Sequence, residues 1–290
     1  MPNLAAPLFR VPLMIHYLLI DCPDEPGLVF RTSEVLFRHG LNILRNGEFV
    51  EPHDHHFFMR TEFDGPCDPE VLLRDLRAAL PAAATIRLRD DRPRPIVVLA
   101  TREHHCLSEL LVRHFFGQLH AEILAVISNH DNLRTITERL DVPYHHISAE
   151  GLSREAHEAA VLAQIQQYQP EFVVLARYMR ILSPEFVTHF NGHLINIHHS
   201  FLPAFIGASP YAQAYERGVK SIGATAHFVT DQLDQGPIIA QSVIPTDHTQ
   251  SARDMAQAGR DGEKLTLARA LTLVCREQVC VHRNKTIVFE

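Results

Sequence analysis

The spacing of apolar and polar positions changes near residue 92 and divides the chain into two predicted domains. Before this point, two segments carry apolar residues at helical spacing, residues 27–39 and 69–80. Short apolar or alternating runs of strand length surround them, at residues 13–20, 41–50, 55–63 and 84–88. The resulting order, βαββαβ, is the ferredoxin-like pattern. We therefore predict an α/β fold that begins with a ferredoxin-like domain over residues 1–93.

A charged segment with two prolines, residues 90–95, ends this first part, because proline continues neither a helix nor a central strand. Beyond it, predicted strands and helices alternate. The strands are residues 95–100, 122–128, 172–176 and 194–197, and the helices are residues 107–115, 133–140, 153–168, a segment from Ser183-Pro184, and a segment from Ser209-Pro210 to Gly218. A hairpin around Asn284-Lys285 closes the chain. This alternation predicts a Rossmann-like domain with a mostly parallel, doubly wound sheet over residues 94–290.

Composition narrows the class of protein without identifying it. Apolar residues make up 46% of the chain and charged residues 21%, which is typical of a folded protein. The 27 basic and 34 acidic residues give a net charge of −7, so we expect no nucleic-acid partner. No apolar run approaches the roughly 18 residues of a membrane span, and the first residues do not resemble a signal peptide. Five scattered cysteines without a CxxC pair are typical of free thiols, so we expect a cytoplasmic protein without membrane association.

Several common catalytic motifs are absent from the sequence. It contains no G-x-G pair, no Walker loop, no H-E-x-x-H and no G-x-S-x-G. Adjacent histidines occur repeatedly among the 20 histidines, but neighbouring residues of a strand point to opposite faces and cannot easily share one ion. We therefore predict structural or surface roles for most histidines and no metal site.

One pair of segments does carry candidate chemistry. Asn196 and His198 end a predicted buried strand and, being two residues apart, face the same side of it. An acidic loop with Asp231 and Asp234 follows the next strand and closes with Gly-Pro. Because ligands bind at the carboxyl ends of strands in open α/β sheets, we expect the amide, the imidazole and a carboxylate of this loop to converge there. The amide can hold an oxyanion, the imidazole can transfer a proton, and the carboxylate can orient water.

These segments read N-I-H-x-S-x-L-P and H-F-V-T-D-x-L-D-x-G-P-I-I, and they resemble the folate-dependent formyltransferase family over about residues 95–245. The resemblance implies that Asn196, His198 and Asp234 are the catalytic residues. It also implies that the pterin ring of the substrate lies against Met179, Arg180, Ile181, Leu182 and Asp231. The folate is the substrate of this family, so the resemblance implies no further cofactor.

The family has several branches, which transfer formyl groups to glycinamide ribonucleotide or to methionyl-tRNA or release formate. Residues 21–27 and the ferredoxin-like pattern resemble an ACT domain, which accompanies the formate-releasing branch. Few residues follow the catalytic pattern for a tRNA-binding barrel, and the turn at 101–106 lacks the glycines of a phosphate cradle. The resemblance therefore implies a hydrolase that converts 10-formyltetrahydrofolate to formate and tetrahydrofolate. Formyl transfer to an amine acceptor stays open as the alternative.

The same resemblance implies a physiological setting. The formate would supply purine synthesis, and the reaction would balance the one-carbon folate pools. An ACT domain implies an amino-acid effector and a homo-oligomer. The sequence departs from the branch pattern at Ser209, where arginine is usual, at Ala212, where histidine is frequent, and over residues 247–250.

Overall fold

A computed structural model describes residues 14–203 and 210–290 of the chain. The described residues form two compact units. The first unit holds residues 14–92 together with Arg276–Gln278 and Phe289, and the second holds the remainder. Among the described helices, none is long and apolar enough to cross a membrane.

The first unit contains one antiparallel sheet and two helices. In chain order its elements are β1 (Ile15–Pro23), α1 (Leu28–Arg38), β2 (Asn42–Glu51), β3 (His56–Asp64), α2 (Pro69–Ala79) and β4 (Thr85–Asp90). The strand order is β2-β3-β1-β4, so β1 is central and β2 lies at an edge. Leu18, Ile20 and Cys22 alternate along β1 and are buried in one core cluster with the inner faces of the helices. The predicted βαββαβ order is confirmed.

The second unit contains a seven-stranded sheet covered by helices, and a closing hairpin. Its elements are β5 (Arg94–Ala100), α3 (His105–Phe115), β6 (Ala121–Ser128), α4 (Arg134–Glu138), β7 (Tyr144–His146), α5 (Arg154–Gln166), β8 (Phe172–Ala176), α6 (Pro184–Thr188), β9 (Leu194–His198), α7 (Pro210–Arg217), β10 (Ser221–Phe228), β11 (Ile238–Pro245), α8 (Ala252–Cys275), β12 (Val279–His282) and β13 (Lys285–Val288). The sheet order is β11-β10-β9-β8-β5-β6-β7. Strands β9, β8, β5, β6 and β7 are parallel, whereas β10 and β11 are antiparallel to their neighbours. The predicted mostly parallel sheet is confirmed.

Three elements of this unit were not predicted from the sequence. Strand β7 has three residues, too few for a periodic pattern, and β11 follows the Gly-Pro turn without a clear boundary. The third is the 24-residue helix α8, whose two glycines, Gly259 and Gly262, lower its helical propensity. It forms because the sheet buries one of its faces, including Leu267 and Leu271.

The order of the parallel strands places one crevice in the sheet. From β5 the chain proceeds outward through β6 and β7, and then returns to the other side of β5 with β8 and β9. The order therefore reverses between β5 and β8, and the carboxyl ends of strands at such a reversal are where open α/β sheets bind ligands.

Candidate active site

The amide and the imidazole of the predicted site stand on one face of β9. Asn196 and His198 are two residues apart, and both side chains line the same cavity. The neighbouring strand β10 runs antiparallel and places His227 directly opposite Asn196. Asn196 Nδ2 lies 3.2 Å from His227 Nε2. The amide is therefore fixed from the adjacent strand.

The carboxylate reaches these groups by a different route from the one expected. Since β10 is antiparallel to β9, its end at Phe228 lies beside Ile195, and the expected meeting of two strand ends does not occur. The loop after β10 instead turns back, and Asp234 adopts a left-handed backbone with φ 55°. Gly236 permits this return, because a Cβ there would lie 1.8 Å from the carbonyl oxygen of Phe228.

The returning loop brings Asp234 against two imidazoles. Its Oδ2 lies 3.3 Å from His198 Nδ1, and its Oδ1 lies 3.8 Å from His227 Nε2. Burial acts to raise the pKa of Asp234, but the hydrogen bond and charge of His198, with the charges of His227 and His199, outweigh it and lower that pKa. The Asp234 carboxylate is therefore ionised near neutral pH.

His198 has one ring nitrogen available for chemistry. Its Nδ1 faces Asp234, while its Nε2 is buried and makes no hydrogen bond within the described part of the chain. Buried polar atoms normally find a partner, so an unpartnered one beside a cavity indicates a place for a ligand or water. Nδ1 thus faces the Asp234 carboxylate, and Nε2 faces a place where a ligand or a water molecule can bind.

His227 is a site residue that the sequence reading did not single out. Its Nδ1 lies 2.8 Å from the backbone oxygen of Phe228 and donates to it, which leaves Nε2 to accept from the Asn196 amide. Burial lowers the pKa of His227 and outweighs the opposing effects of Phe228 and Asp234, so the ring is neutral. His227 is the first residue of the H-F-V-T-D motif, which could have indicated it from the sequence. Only the pairing of β9 with β10 shows that His227 lies opposite Asn196.

All the predicted site residues line one cavity of about 480 Å³. The predicted catalytic and substrate-binding residues on its wall are Asn196, His198, Asp234, Met179, Arg180, Ile181, Leu182 and Asp231. Met179 and Ile181 are 58% and 64% exposed, so apolar side chains are presented to the opening instead of to the core. A concave site with apolar walls and a few convergent polar groups is typical of a small-molecule site.

The loop that carries the predicted pterin contacts is held at both ends. The backbone N–H of Met179 donates to Thr101 Oγ1 at 2.9 Å, across the strand reversal between β5 and β8. At the other end the N–H of Ser183 donates to Glu158 Oε1 at 3.0 Å, and Ser183 also caps α6 as predicted. Two side-chain anchors therefore fix a loop that lacks regular structure.

The structure does not explain the positions at which the sequence departs from the branch pattern. Ser209 and residues 205–208 lie outside the described residues. Ala212 is exposed on α7, and residues 247–250 form an exposed turn in which the N–H of Thr249 donates to Asp247 at 2.8 Å.

Comparison with known proteins places this geometry in a family. A model described as formyl transferase matches residues 94–271. A formyltetrahydrofolate deformylase of Haemophilus influenzae is 51% identical over 271 residues, covering 93% of this chain and 98% of the relative. The crystal structure of a formyltetrahydrofolate deformylase from Pseudomonas syringae pv. tomato is 40% identical with a TM-score of 0.92, covering 98% of this chain and 97% of that chain. A glycinamide ribonucleotide transformylase 1 structure from Symbiobacterium toebii is 30% identical with a TM-score of 0.65, covering 68% and 95%.

The matched region contains the whole cavity, so the fold and the site define a formyl transferase-type unit. The deformylase relatives extend over both units, whereas the transformylase covers only about two thirds of this chain. The chain belongs to the formyltetrahydrofolate deformylase family. The resemblance inferred from the two sequence motifs is confirmed.

Proposed function

We propose that this protein hydrolyses 10-formyltetrahydrofolate to formate and tetrahydrofolate. The observation that carries the proposal is the His198–Asp234 pair, 3.3 Å apart, with Asn196 beside it on the wall of a cavity. Family membership identifies the substrate class that such a cavity would take. Formyl transfer to an amine is not favoured, because the relatives that cover nearly the whole chain are named deformylases.

In the proposed reaction Asp234 orients and activates a water molecule. The water oxygen forms the new bond to the formyl carbon, the bond from that carbon to N10 breaks, and a proton ends on N10. An ionised carboxylate beside the cavity suits the first step, because it can accept a proton from the water as the new bond forms. His198 assists the transfer through the pair that it forms with Asp234.

Asn196 and His198 stabilise the oxyanion of the tetrahedral intermediate in this proposal. One amide hydrogen of Asn196 is engaged by His227, and the amide has a second donor for the cavity. Donors fixed before the reaction act without reorganisation when the charge develops. His198 Nε2, which has no hydrogen-bond partner among the described residues, is the second donor in the proposal.

We assign the pterin ring to the anchored loop and the opposite wall. Met179, Ile181 and Leu182 supply apolar surface, while Arg180 and Asp231 supply polar groups at the same cavity. We propose that the reaction needs no cofactor and no metal, because the folate carries the formyl group as the substrate and Asp234 is assigned the activation of water. The product formate would supply purine synthesis, and the reaction would balance the one-carbon folate pools. We place the protein in the cytoplasm, where five cysteines outside disulfides stay reduced.

The decisive test is a spectrophotometric assay of purified full-length protein with 10-formyltetrahydrofolate and no acceptor. We expect equal amounts of formate and tetrahydrofolate. Turnover that requires an added amine would contradict hydrolysis and favour the transfer alternative.

We assign residues 1–93 to an ACT-like domain that regulates and assembles the enzyme, and residues 94–290 to catalysis. The support is the separate core of the first unit and the position of all site residues in the second. Gly27, with φ 89°, precedes helix α1 and cannot cap it with a side chain, so the first N–H groups of the helix offer a place for the carboxylate of an amino-acid effector. Activity measured across free amino acids tests this, with no response from any of them as the contradicting result.

A homo-oligomer is the second proposal for this unit. Phe30 and Phe37 on α1 are 67% and 81% exposed, and β2 is an edge strand. Exposed apolar side chains beside an open edge are typical of surfaces that pair. Light scattering should give a multiple of 32.8 kDa, and Phe37→Asp should reduce it. A monomer at micromolar concentration would contradict the proposal.

A further inference from the structure

A buried polar cluster lies beside the cavity, at the strand reversal between β5 and β8. We name it the Glu263 cluster, formed by His105, Arg177, Tyr211 and Glu263. Glu263 Oε2 lies 2.7 Å from His105 Nε2 and 3.3 Å from Arg177 Nε, and Tyr211 donates to Glu263 Oε1 at 2.7 Å. Glu263 is fully buried and His105 is nearly so. Both carboxylate oxygens are therefore engaged by the protein itself.

Four separate elements supply these side chains. His105 begins α3 just beyond β5, Arg177 follows β8, and Tyr211 and Glu263 belong to α7 and α8. Gly259, one helical turn before Glu263, makes room for the tyrosine, because a Cβ at 259 would lie 2.0 Å from the Tyr211 hydroxyl. The helix thus has a glycine at the position where a side chain would block this contact.

The carboxyl group of Glu263 is ionised although it is buried. Burial acts to raise the pKa of Glu263, but the hydrogen bond from His105, the charge of Arg177 and the hydrogen bond from Tyr211 outweigh it and lower that pKa. Burial and the neighbouring carboxylate raise the pKa of Tyr211, so its hydroxyl keeps its proton and donates. The cluster is an ionised carboxylate saturated by its partners.

A metal site is a poorer account of these residues. His105, Cys106 and Glu263 have possible ligand atoms within 4.8 Å of one another, the one such group of three found in the described residues. Arg177 already supplies a cation 3.3 Å from the carboxylate, and burial raises the pKa of the Cys106 thiol well above its usual range. A divalent ion would face a guanidinium and a protonated thiol.

One member of the cluster, Arg177, reaches the wall of the reaction cavity, and Tyr211 lies behind His199, which also lines it. Arg177 and His199 line that cavity together with Asn196, His198 and Asp234. The His199 ring stacks on His198 with centroids 5.0 Å apart and lies 6.4 Å from the Tyr211 ring. The space at the strand reversal, where this class of sheet offers room for a ligand, is thus filled by the chain's own side chains.

We propose that the Glu263 cluster determines acceptor specificity by filling the crevice that an amine acceptor would otherwise enter, so that water alone reaches the formyl carbon. This inference rests on the proposed hydrolysis and names the residues that restrict it to water. In the excluded reaction the amine nitrogen would bond to the formyl carbon, the bond to N10 would break, and one amine proton would end on N10. The fold itself does not forbid a second substrate, since a protein named a transformylase shares it.

The test opens the crevice and offers it an amine. Full-length Tyr211→Ala is incubated with 10-formyltetrahydrofolate and excess glycinamide, and formylglycinamide and formate are both quantified by mass spectrometry. We expect the fraction of formyl groups delivered to the amine to rise at least about tenfold over the unsubstituted protein, because changes of a few atoms in a pocket alter discrimination by this order. Tyr211→Phe keeps the ring in place and should leave the fraction unchanged.

Tyr168→Ala is the matched control, since it removes a tyrosine that bonds His145 at 2.6 Å and has no part in the Glu263 cluster. If Tyr211→Ala releases formate without an increase in the transferred fraction, the proposal is wrong. Should that variant fail to fold, His105→Ala opens the crevice from α3 and is judged by the same ratio. Failure of the unsubstituted protein to release formate would instead contradict the proposed hydrolysis, so the two failures are distinguishable.

Discussion

The reaction site and the Glu263 cluster are built from similar groups and differ in access. Each pairs a histidine with a carboxylate, at 3.3 Å for His198–Asp234 and 2.7 Å for His105–Glu263, and in both the pKa of the carboxyl group is lowered by its partners. The Asp234 side chain keeps 14% of its surface exposed, whereas that of Glu263 keeps 1%. His198 also presents to the cavity an Nε2 that has no hydrogen-bond partner in the described part of the chain.

The comparison shows that residue type alone does not identify a catalytic pair. A carboxylate whose partners use both of its oxygens, in a place that solvent does not reach, stabilises the fold and shapes its neighbours. A carboxylate with the same charge beside an open cavity can act on a substrate. The two pairs should therefore respond to substitution in opposite ways.

The largest expected effect is on catalysis at Asp234. Asp234→Asn keeps the shape but removes the negative charge that orients water and pairs with His198. We expect hydrolysis to fall by about a hundredfold to ten-thousandfold, the range of general acid–base contributions, with folate binding retained. Steady-state rates and titration with a non-reactive folate analogue measure the two quantities. Asp261→Asn, exposed on α8, is the control, and near-normal turnover of Asp234→Asn would refute the assignment.

Glu263→Ala should show the reverse pattern in stability. Removing one partner of a buried ion pair leaves Arg177 without its counter-charge, and such losses cost about 3–5 kcal/mol. Urea unfolding monitored by circular dichroism measures the free energy of unfolding. Asp234→Asn should lose less, because asparagine keeps the shape of the side chain and leaves no charged group without its partner. Equal losses in the two variants would remove the distinction between the clusters.

Asn196→Ala and His198→Ala should each lower kcat by about a hundredfold, the cost of one oxyanion donor. Their affinity for the folate analogue should change much less, because each contact strengthens mainly as the oxyanion forms. A variant that lost affinity alone would show that its residue only binds substrate, and the mechanism would need revision.

His227→Phe tests the indirect role of a neutral ring that touches no reacting atom. It removes the acceptor for Asn196, and one hydrogen bond is worth about 1 kcal/mol, so we expect kcat to fall by up to about tenfold. His227→Gln offers an amide oxygen to Asn196 and should restore part of the rate. Identical rates in the phenylalanine and glutamine variants would show that packing, and not the hydrogen bond, sets the loss.

The smallest expected effect is a pH dependence of stability at the boundary between the clusters. Burial, with the charges of Arg177 and His198, lowers the pKa of His199 from 6.5 to about 4, despite the opposing charges of Glu263 and Asp234. Between pH 6.5 and pH 4 the His199 side chain binds a proton in the unfolded chain but not in the folded chain. The contribution of His199 to the free energy of unfolding is therefore fully present above pH 6.5 and is lost as the pH falls toward 4.

His199→Gln should reduce this loss, measured as the difference in urea midpoint between pH 7 and pH 5. His53→Gln, at an exposed position of the first unit, is the control. An unchanged midpoint difference in His199→Gln would show that other groups cause the loss.

The elements and most of the candidate site could be predicted because their signals are local. Leu18, Ile20 and Cys22 alternate on β1, and Ser183-Pro184 starts α6 through a cap bond within the same turn. The spacing of Asn196 and His198 places both on one face of β9 wherever that strand lies. Asp234 was identified through resemblance, and its presence at the cavity agrees with that reading.

The remaining features depend on partners far apart in the chain. Helix α8 forms on the sheet despite two glycines. The role of Gly259, which is to leave room for Tyr211, is visible only in the folded chain. The position of His227 opposite Asn196 follows from antiparallel pairing, which local periodicity does not encode.

By itself, then, the sequence determined the order of strands and helices, the division near residue 92, and the residue types available for chemistry, because these depend on periodicity, turns and spacing. Only the tertiary structure decided which histidine–carboxylate pair faces a cavity and which is buried away from solvent. His105 and Glu263 are 158 residues apart, and His198 and Asp234 meet only because a loop turns back over β10. Access to solvent is a property of the packed chain as a whole, and it separates the two pairs.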